Sequence, residues 1–265
     1  VTAPEADLSG WAVAPFTGGG YTHDVYRKGT GPGAVLIPEI PGIHPGVLAL
    51  GNYLVDNGFT VAMPSLFGES GRPKTVGYVA ASISRACVAR EFAAFATNKQ
   101  RPVSLFLQAL ARDLNASTPG KGVGVIGQCF TGGFALAAAV DDSVLAPVLS
   151  QPSVPLPLGA ARRRDPGLSE AELTTVAERC ANEGLCAMGL RFSEDKTAPA
   201  ERFATLKQRL GDAFEVIEID SSPGNAGGFG KMAHSVLTDE VREVAGQPAY
   251  EARKRVVEFL AQRLT

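Results

Sequence analysis

Short apolar runs bounded by glycine, proline and aspartate recur along the 265 residues: GAVLIPEI, FTVAMPSL, GVGVIGQC, SVLAPVLSQ, LCAMGLRFSED and AFEVIEID. They are continuous rather than alternating, as strands covered on both faces should be. Between them, apolar positions return at helical spacing near residues 45–57, 79–97, 101–115, 130–141, 169–183, 199–211 and 249–263. Strand and helix in alternation predict βαβ units and a mostly parallel, twisted sheet with helices on both faces, an α/β fold. The opening WAVAPF, TGGG and YTHDVYR read as an antiparallel hairpin at one sheet edge.

No period repeats and no Ser/Gly linker divides the chain, so one domain over 1–265 is expected, with a small lobe from 152–183. The looser stretches SLFGESGRPKTVG and QPSVPLPLGAARRRDPGLS follow strand ends on one side of the sheet, and SSPGNAGGFGKMAHS follows the last strand. In open α/β sheets the carboxyl ends of the strands carry the site, so these loops should rim it. The triplet Arg162, Arg163, Arg164 reads as a solvated charge run.

Composition narrows the partners. A net charge of −2, with 45% hydrophobic and 20% charged residues, describes a globular chain without the basic stripe that nucleic acid requires. No apolar run approaches the roughly 20 residues that cross a bilayer. The start VTAPEADLSGW lacks the features of a signal peptide, and a cytoplasmic location is the expectation. Four irregularly spaced cysteines, Cys87, Cys129, Cys180 and Cys186, suggest reduced thiols rather than a disulfide framework or zinc site. Neither a metal nor another cofactor is called for.

Chemistry concentrates at Gly127-Gln128-Cys129-Phe130-Thr131-Gly132. The pattern follows a nucleophile elbow, in which a strand turns sharply into a helix and raises the reactive atom above the sheet. Small residues are needed where strand and helix nearly collide, and Gly127, Gly132 and Gly133 supply them. An isolated cysteine is commonly a buried, inert thiol. Here the strand before, the helix after and the flanking glycines favour a nucleophile. The helix N-terminus would favour thiolate, and the Phe130 N–H would point at a developing oxyanion.

A thiol nucleophile needs a base. Of three histidines, His23 falls in the edge hairpin and reads as a surface residue. His44 follows a strand in a loop that could line a pocket. His234 follows the last strand, the last position in the nucleophile–acid–histidine order, and is taken as the base. Asp195, just after an apolar strand, would orient the imidazole. Glu194 beside it and Asp220 at the end of the next strand are the alternatives.

Glu39 in IPEIPGIHP, Cys129 in GQCFTGGFALA, Asp195 in RFSEDKTAPAERF and His234 in MAHSVLTDE together resemble the dienelactone hydrolase family, α/β-hydrolases with a cysteine nucleophile, over most of the chain. The resemblance implies the α/β-hydrolase fold, a Cys129–His234–Asp195 triad, a Glu39 that holds the resting thiol until substrate displaces it, and the N–H of Ile40 as second oxyanion donor. It implies a small-molecule ester or lactone as substrate, of the dienelactone type. An esterase or thioesterase for another acyl compound, or a silent homologue that binds a small ligand, are the alternatives. Arginine binds the substrate carboxylate in the best-known members, and Arg85, Arg90 and Arg191 are the candidates here. Two departures stand out: Thr131 replaces the usual glycine two residues after the nucleophile, where a β-branched side chain should crowd the turn, and the segment between Cys129 and Asp195 is long.

Overall fold

The computed structural model describes residues 7–92, 99–153 and 159–265. The hairpin of β1 (Ala12–Gly18) and β2 (Tyr21–Lys28) leads to β3 (Gly33–Ile37), α1 (Pro45–Asp56), β4 (Thr60–Pro64), α2 (Val76–Val88) and α3 (Pro102–Ser117). The second half runs β5 (Val123–Gln128), α4 (Gly132–Ala138), β6 (Val144–Ser150), α5 (Ala160–Arg164), α6 (Glu170–Asn182), β7 (Ala187–Phe192), α7 (Ala200–Leu210), β8 (Phe214–Ile219) and α8 (Pro248–Leu264). One eight-stranded sheet takes the order β1-β2-β4-β3-β5-β6-β7-β8. Among the described residues, only the two pairings made by β2 are antiparallel; the remaining five are parallel.

Side chains alternate across a strand, and here both alternating sets are buried. Val35 and Ile37 of β3 pack with Phe106, Leu110 and Leu136 of α3 and α4 on one face. Ala34 and Leu36 pack with Leu50, Leu54 and Phe259 of α1 and α8 on the other. Two-sided burial is why β3, β5 and β7 read as unbroken apolar runs. The last strand departs from that expectation. In β8, Phe214 and Ile219 are buried but Val216 and Glu218 face solvent, because β8 closes the sheet edge and keeps one face uncovered.

The helix expected over 79–97 starts earlier, at a Thr75 N-cap, and ends at Val88; residues 93–97 lie outside the described residues. Within the expected lobe, residues 154–158 also lie outside them. Its later part is α6, the crossover between β6 and β7, which buries Leu173 and Val176 in the main core. Of the arginine triplet, Arg163 pairs with Glu201 across the surface. Among the described residues, no helix is long and apolar enough to cross a membrane.

Candidate active site

Parallel register brings distant sequence segments to one end of the sheet. Ile37 of β3 lies beside Gly127 of β5, Gln128 beside Ser150 of β6, and Ser150 beside Leu190 of β7. The residues that follow these strand ends therefore meet: Glu39, Cys129, Ser153 and Asp195. With His234 from the loop after β8 they line one cavity of about 740 Å³. All three loops expected at its rim contribute, through Lys74, Ser153 and Lys231.

Cys129 occupies the turn between β5 and α4 with φ of +53°, a conformation that costs on the order of 1–3 kcal/mol for a non-glycine residue. The close approach requires glycine nearby. A Cβ at Gly127 would lie 2.3 Å from the Thr131 carbonyl oxygen, and one at Gly132 would lie 2.6 Å from Cα of Pro152. Thr131 does not crowd the turn as expected. It is fully buried, with its Oγ1 accepting from the Gln128 N–H at 2.9 Å and donating to the Gln128 carbonyl at 2.8 Å. Its hydroxyl also reaches toward the carbonyls of Ile37 and Pro38. The elbow closes through a 3-10 turn over Cys129–Thr131 before α4 begins, so the helix is shorter than the 130–141 pattern suggests.

His234 is about one-quarter exposed, and its Nδ1 lies 2.6 Å from Oδ2 of Asp195. The other Asp195 oxygen accepts from the Thr197 N–H at 2.9 Å and the Thr197 hydroxyl at 2.7 Å. The same imidazole and Cys129 both line the cavity, close enough for their charges to interact. Burial works against charge on the ring, but negative charge at Cys129 and the bond to Asp195 outweigh it and push the His234 pKa up to about 11. For Asp195, burial is again overcome, by His234 and Thr197, and the carboxyl is held below its ordinary value. Of the alternatives, Glu194 lines the cavity but is exposed. Asp220 turns instead to the Ser222 N–H at 2.8 Å.

Glu39 is buried and surrounded by donors. Oε1 accepts from His44 Nε2 at 3.0 Å, Lys74 Nζ at 2.9 Å and Thr238 Oγ1 at 2.9 Å. Oε2 accepts from Ser235 Oγ at 2.9 Å and, more weakly, from Gln151 Nε2 at 3.4 Å. Burial disfavours this carboxylate, yet His44 and Lys74 overcome it and hold its pKa far below the ordinary value. Five donors thus occupy the group that the resemblance assigned to the resting thiol. His44, expected at the pocket wall, is instead buried at the N-terminus of α1. Its Nδ1 accepts from the Gly46 N–H at 3.0 Å, which leaves the proton on Nε2 for Glu39. Among the described residues, Glu39, His44 and Asp239 form a group with metal-ligand spacing. Lys74 supplies its positive charge, at 2.9 Å from Glu39 and 2.6 Å from Asp239.

Ile40 and Phe130 both line the cavity. Phe130 is fixed by an aromatic cluster, with ring centroids 6.1 Å from Phe67, 5.8 Å from Phe92 and 5.4 Å from Phe134. The three arginine candidates stand elsewhere. Arg85 and Arg90 are exposed and outside the lining. Arg191 is buried and donates to the carbonyls of Ala198 and Ser193 at 3.0 Å and to the Glu218 carboxylate. It ties down the loop that carries Asp195, because a buried guanidinium must satisfy its donors locally. His23 is not a free surface residue either: it lies 2.9 Å from Glu91, edge-on to Phe106.

Sequence reading missed Ser153, Thr197, Lys74, Ser235 and Thr238. The Ser153 N–H donates to the Cys129 carbonyl at 2.8 Å, and its Oγ lies 3.5 Å from His234 Nε2. Each sits in an irregular loop, and only the spacing of Thr197 two residues after Asp195, an Asx-type turn, carried a local signal.

A sequence model of the dienelactone hydrolase family matches residues 21–264. Among solved structures, a provisionally assigned dienelactone hydrolase from Klebsiella pneumoniae superposes with a TM-score of 0.63 at 16% identity, covering 95% of this chain and 98% of that one. A dienelactone hydrolase-like promiscuous phosphotriesterase from metagenomic libraries gives 0.61 at 15% identity, covering 96% and 98%. An α/β-hydrolase from a Penicillium species gives 0.61 at 15% identity, covering 96% and 99%. Among curated proteins, none matches the chain. The shared architecture is the α/β-hydrolase fold.

Proposed function

The chain belongs to the dienelactone hydrolase family, and on that footing we propose that it hydrolyses an ester or lactone through covalent attack by Cys129. The observation that carries this reading is the position of His234, bonded to Asp195 at 2.6 Å and sharing with Cys129 the wall of a cavity large enough for a small-molecule substrate. The Cys129 sulfur, its proton passed to His234, adds to the carbonyl carbon, and the carbonyl π pair moves to oxygen. The N–H groups of Ile40 and Phe130 stabilise that oxyanion. Collapse of the tetrahedral intermediate expels the alkoxide or enolate, which takes its proton from His234 and leaves a thioester on Cys129. His234, now neutral, removes a proton from water, the hydroxide adds to the thioester carbonyl, and thiolate departs as the free acid forms. Asp195 holds the imidazole and offsets its charge throughout.

In this scheme Glu39 is a positioning residue. Its five donors come from α1, from the loops after β4 and β6, and from the loop carrying His234. Glu39 therefore fastens Ser235, the neighbour of His234, to the strand end that bears Ile40. The decisive assay is hydrolysis of a dienelactone beside simple aryl esters by the native chain, Cys129→Ser and His234→Ala. The reading requires both variants to lose activity; equal rates in all three would remove it.

A further inference from the structure

We infer that the substrate is an uncharged ester with a sizeable apolar portion, rather than a small carboxylated lactone; this rests on the hydrolytic reading above and concerns the rest of the same cavity. An anionic substrate would need a cation in the wall. Arg191 is consumed by backbone carbonyls and Glu218, and Arg85 and Arg90 do not line the cavity. Lys74 is already shared between two carboxylates, at 2.9 and 2.6 Å. Lys196 and Lys231 line the cavity only as exposed residues, where hydrated ammonium groups bind a carboxylate weakly.

Much of the remaining wall is apolar, with Glu194 and Thr197 at its exposed edge. Val79, Ile83 and Ala86 line it from one side of α2, at the i, i+4 and i+7 positions that share a helix face. Phe130, backed by its aromatic cluster, and Met232 complete it. Ile83 is 45% exposed and Met232 is 92% exposed, so two large apolar side chains stand in water at the wall of the cavity that Cys129 also lines. Exposed apolar surface gathered at a cleft marks a ligand surface. A cavity of about 740 Å³ also has room well beyond a small lactone acid. An alkyl chain or aryl ring in the cavity, laid along α2, would cover Ile83.

The test combines catalysis with binding. The native protein is assayed on 4-nitrophenyl esters from acetate to octanoate, and on the same chains ending in a carboxylate. In parallel, hexanol and octanol are compared with 6-hydroxyhexanoate and 8-hydroxyoctanoate by calorimetry. We expect kcat/KM to rise about fourfold per added methylene until the cavity is filled, and the carboxylated chains to be at least tenfold poorer as substrates and ligands. Ile83→Asn should flatten the chain-length dependence, and Ile83→Val should retain it. Esters cleaved without chain-length dependence, or with the carboxylated series preferred, would overturn the inference while leaving hydrolysis standing. Alcohols bound with the expected length dependence, but no ester cleaved, would uphold the apolar site and overturn the hydrolytic reading instead.

Discussion

Nδ1 of His234 lies 2.6 Å from Oδ2 of Asp195, and the other oxygen of that carboxylate is held by the backbone and hydroxyl of Thr197. The acid is thus fixed on one side so that its free side can only face the imidazole. Asp195→Asn keeps the shape and removes the charge. We expect kcat on an aryl ester to fall on the order of 10²-fold or more, with the melting temperature changed little. Steady-state kinetics beside a thermal melt checks this, and a variant as fast as the native chain would leave Asp195 without a catalytic role.

The second prediction concerns the charge on His234. Negative charge at Cys129 is the leading contribution that raises the pKa to about 11 against the cost of burial. Removing the sulfur should undo much of that, so the imidazole of Cys129→Ala should titrate at lower pH than in the native chain, followed by NMR of the ring protons. The folded pKa lies above the ordinary 6.5. The associated stability is then fully present below pH 6.5 and lost as pH rises toward 11. Cys129→Ala should flatten that alkaline slope in denaturant titrations.

Reactivity of the thiols should separate them. Burial and the neighbouring Cys186 push Cys180 up to about 11, and burial also raises Cys87. Thiolate is the reactive form. At neutral pH iodoacetamide should therefore label Cys129 ahead of Cys87 and Cys180, and His234→Ala, which removes its base, should shrink the lead; peptide mass mapping reads both.

Glu39 governs the acid side. Its folded pKa is depressed below the ordinary 4.5, so the unfolded chain binds the proton more readily. The stability it contributes is present above about pH 4.5 and is lost as pH falls through the lower folded value. Glu39→Gln should weaken the fall in stability below pH 4.5. Lys74→Met, which strips one cation from a buried carboxylate, should cost about 3 kcal/mol at neutral pH by urea denaturation.

At the elbow, Thr131→Val should destabilise the chain by about 1–3 kcal/mol, because it leaves the Gln128 N–H without the hydroxyl that it donates to. Thr131→Gly, which restores the residue usual in the resembling family, should destabilise it too. A gain in melting temperature for the glycine variant would mean that the turn is crowded after all.

Sequence alone determined the alternation of strands and helices, because two-sided burial forces unbroken apolar runs such as GAVLI and GVGVIG. It also marked the turn at Cys129, since the close approach of strand and helix admits only glycine at 127, whereas Gly132 makes room for Pro152 of the loop after β6. Periodicity and sterics are local, and a local pattern can record them. The duties of polar side chains were decided elsewhere. Arg191 became a loop tie, His44 a helix cap that serves Glu39, and Thr131 a hydroxyl bridge, each through partners three to seven residues away whose mutual direction no residue pattern records. A hydrogen bond depends on the position and direction of both atoms, and for residues such as Lys74 and Asp239 those are set by the tertiary packing of the loops that carry them.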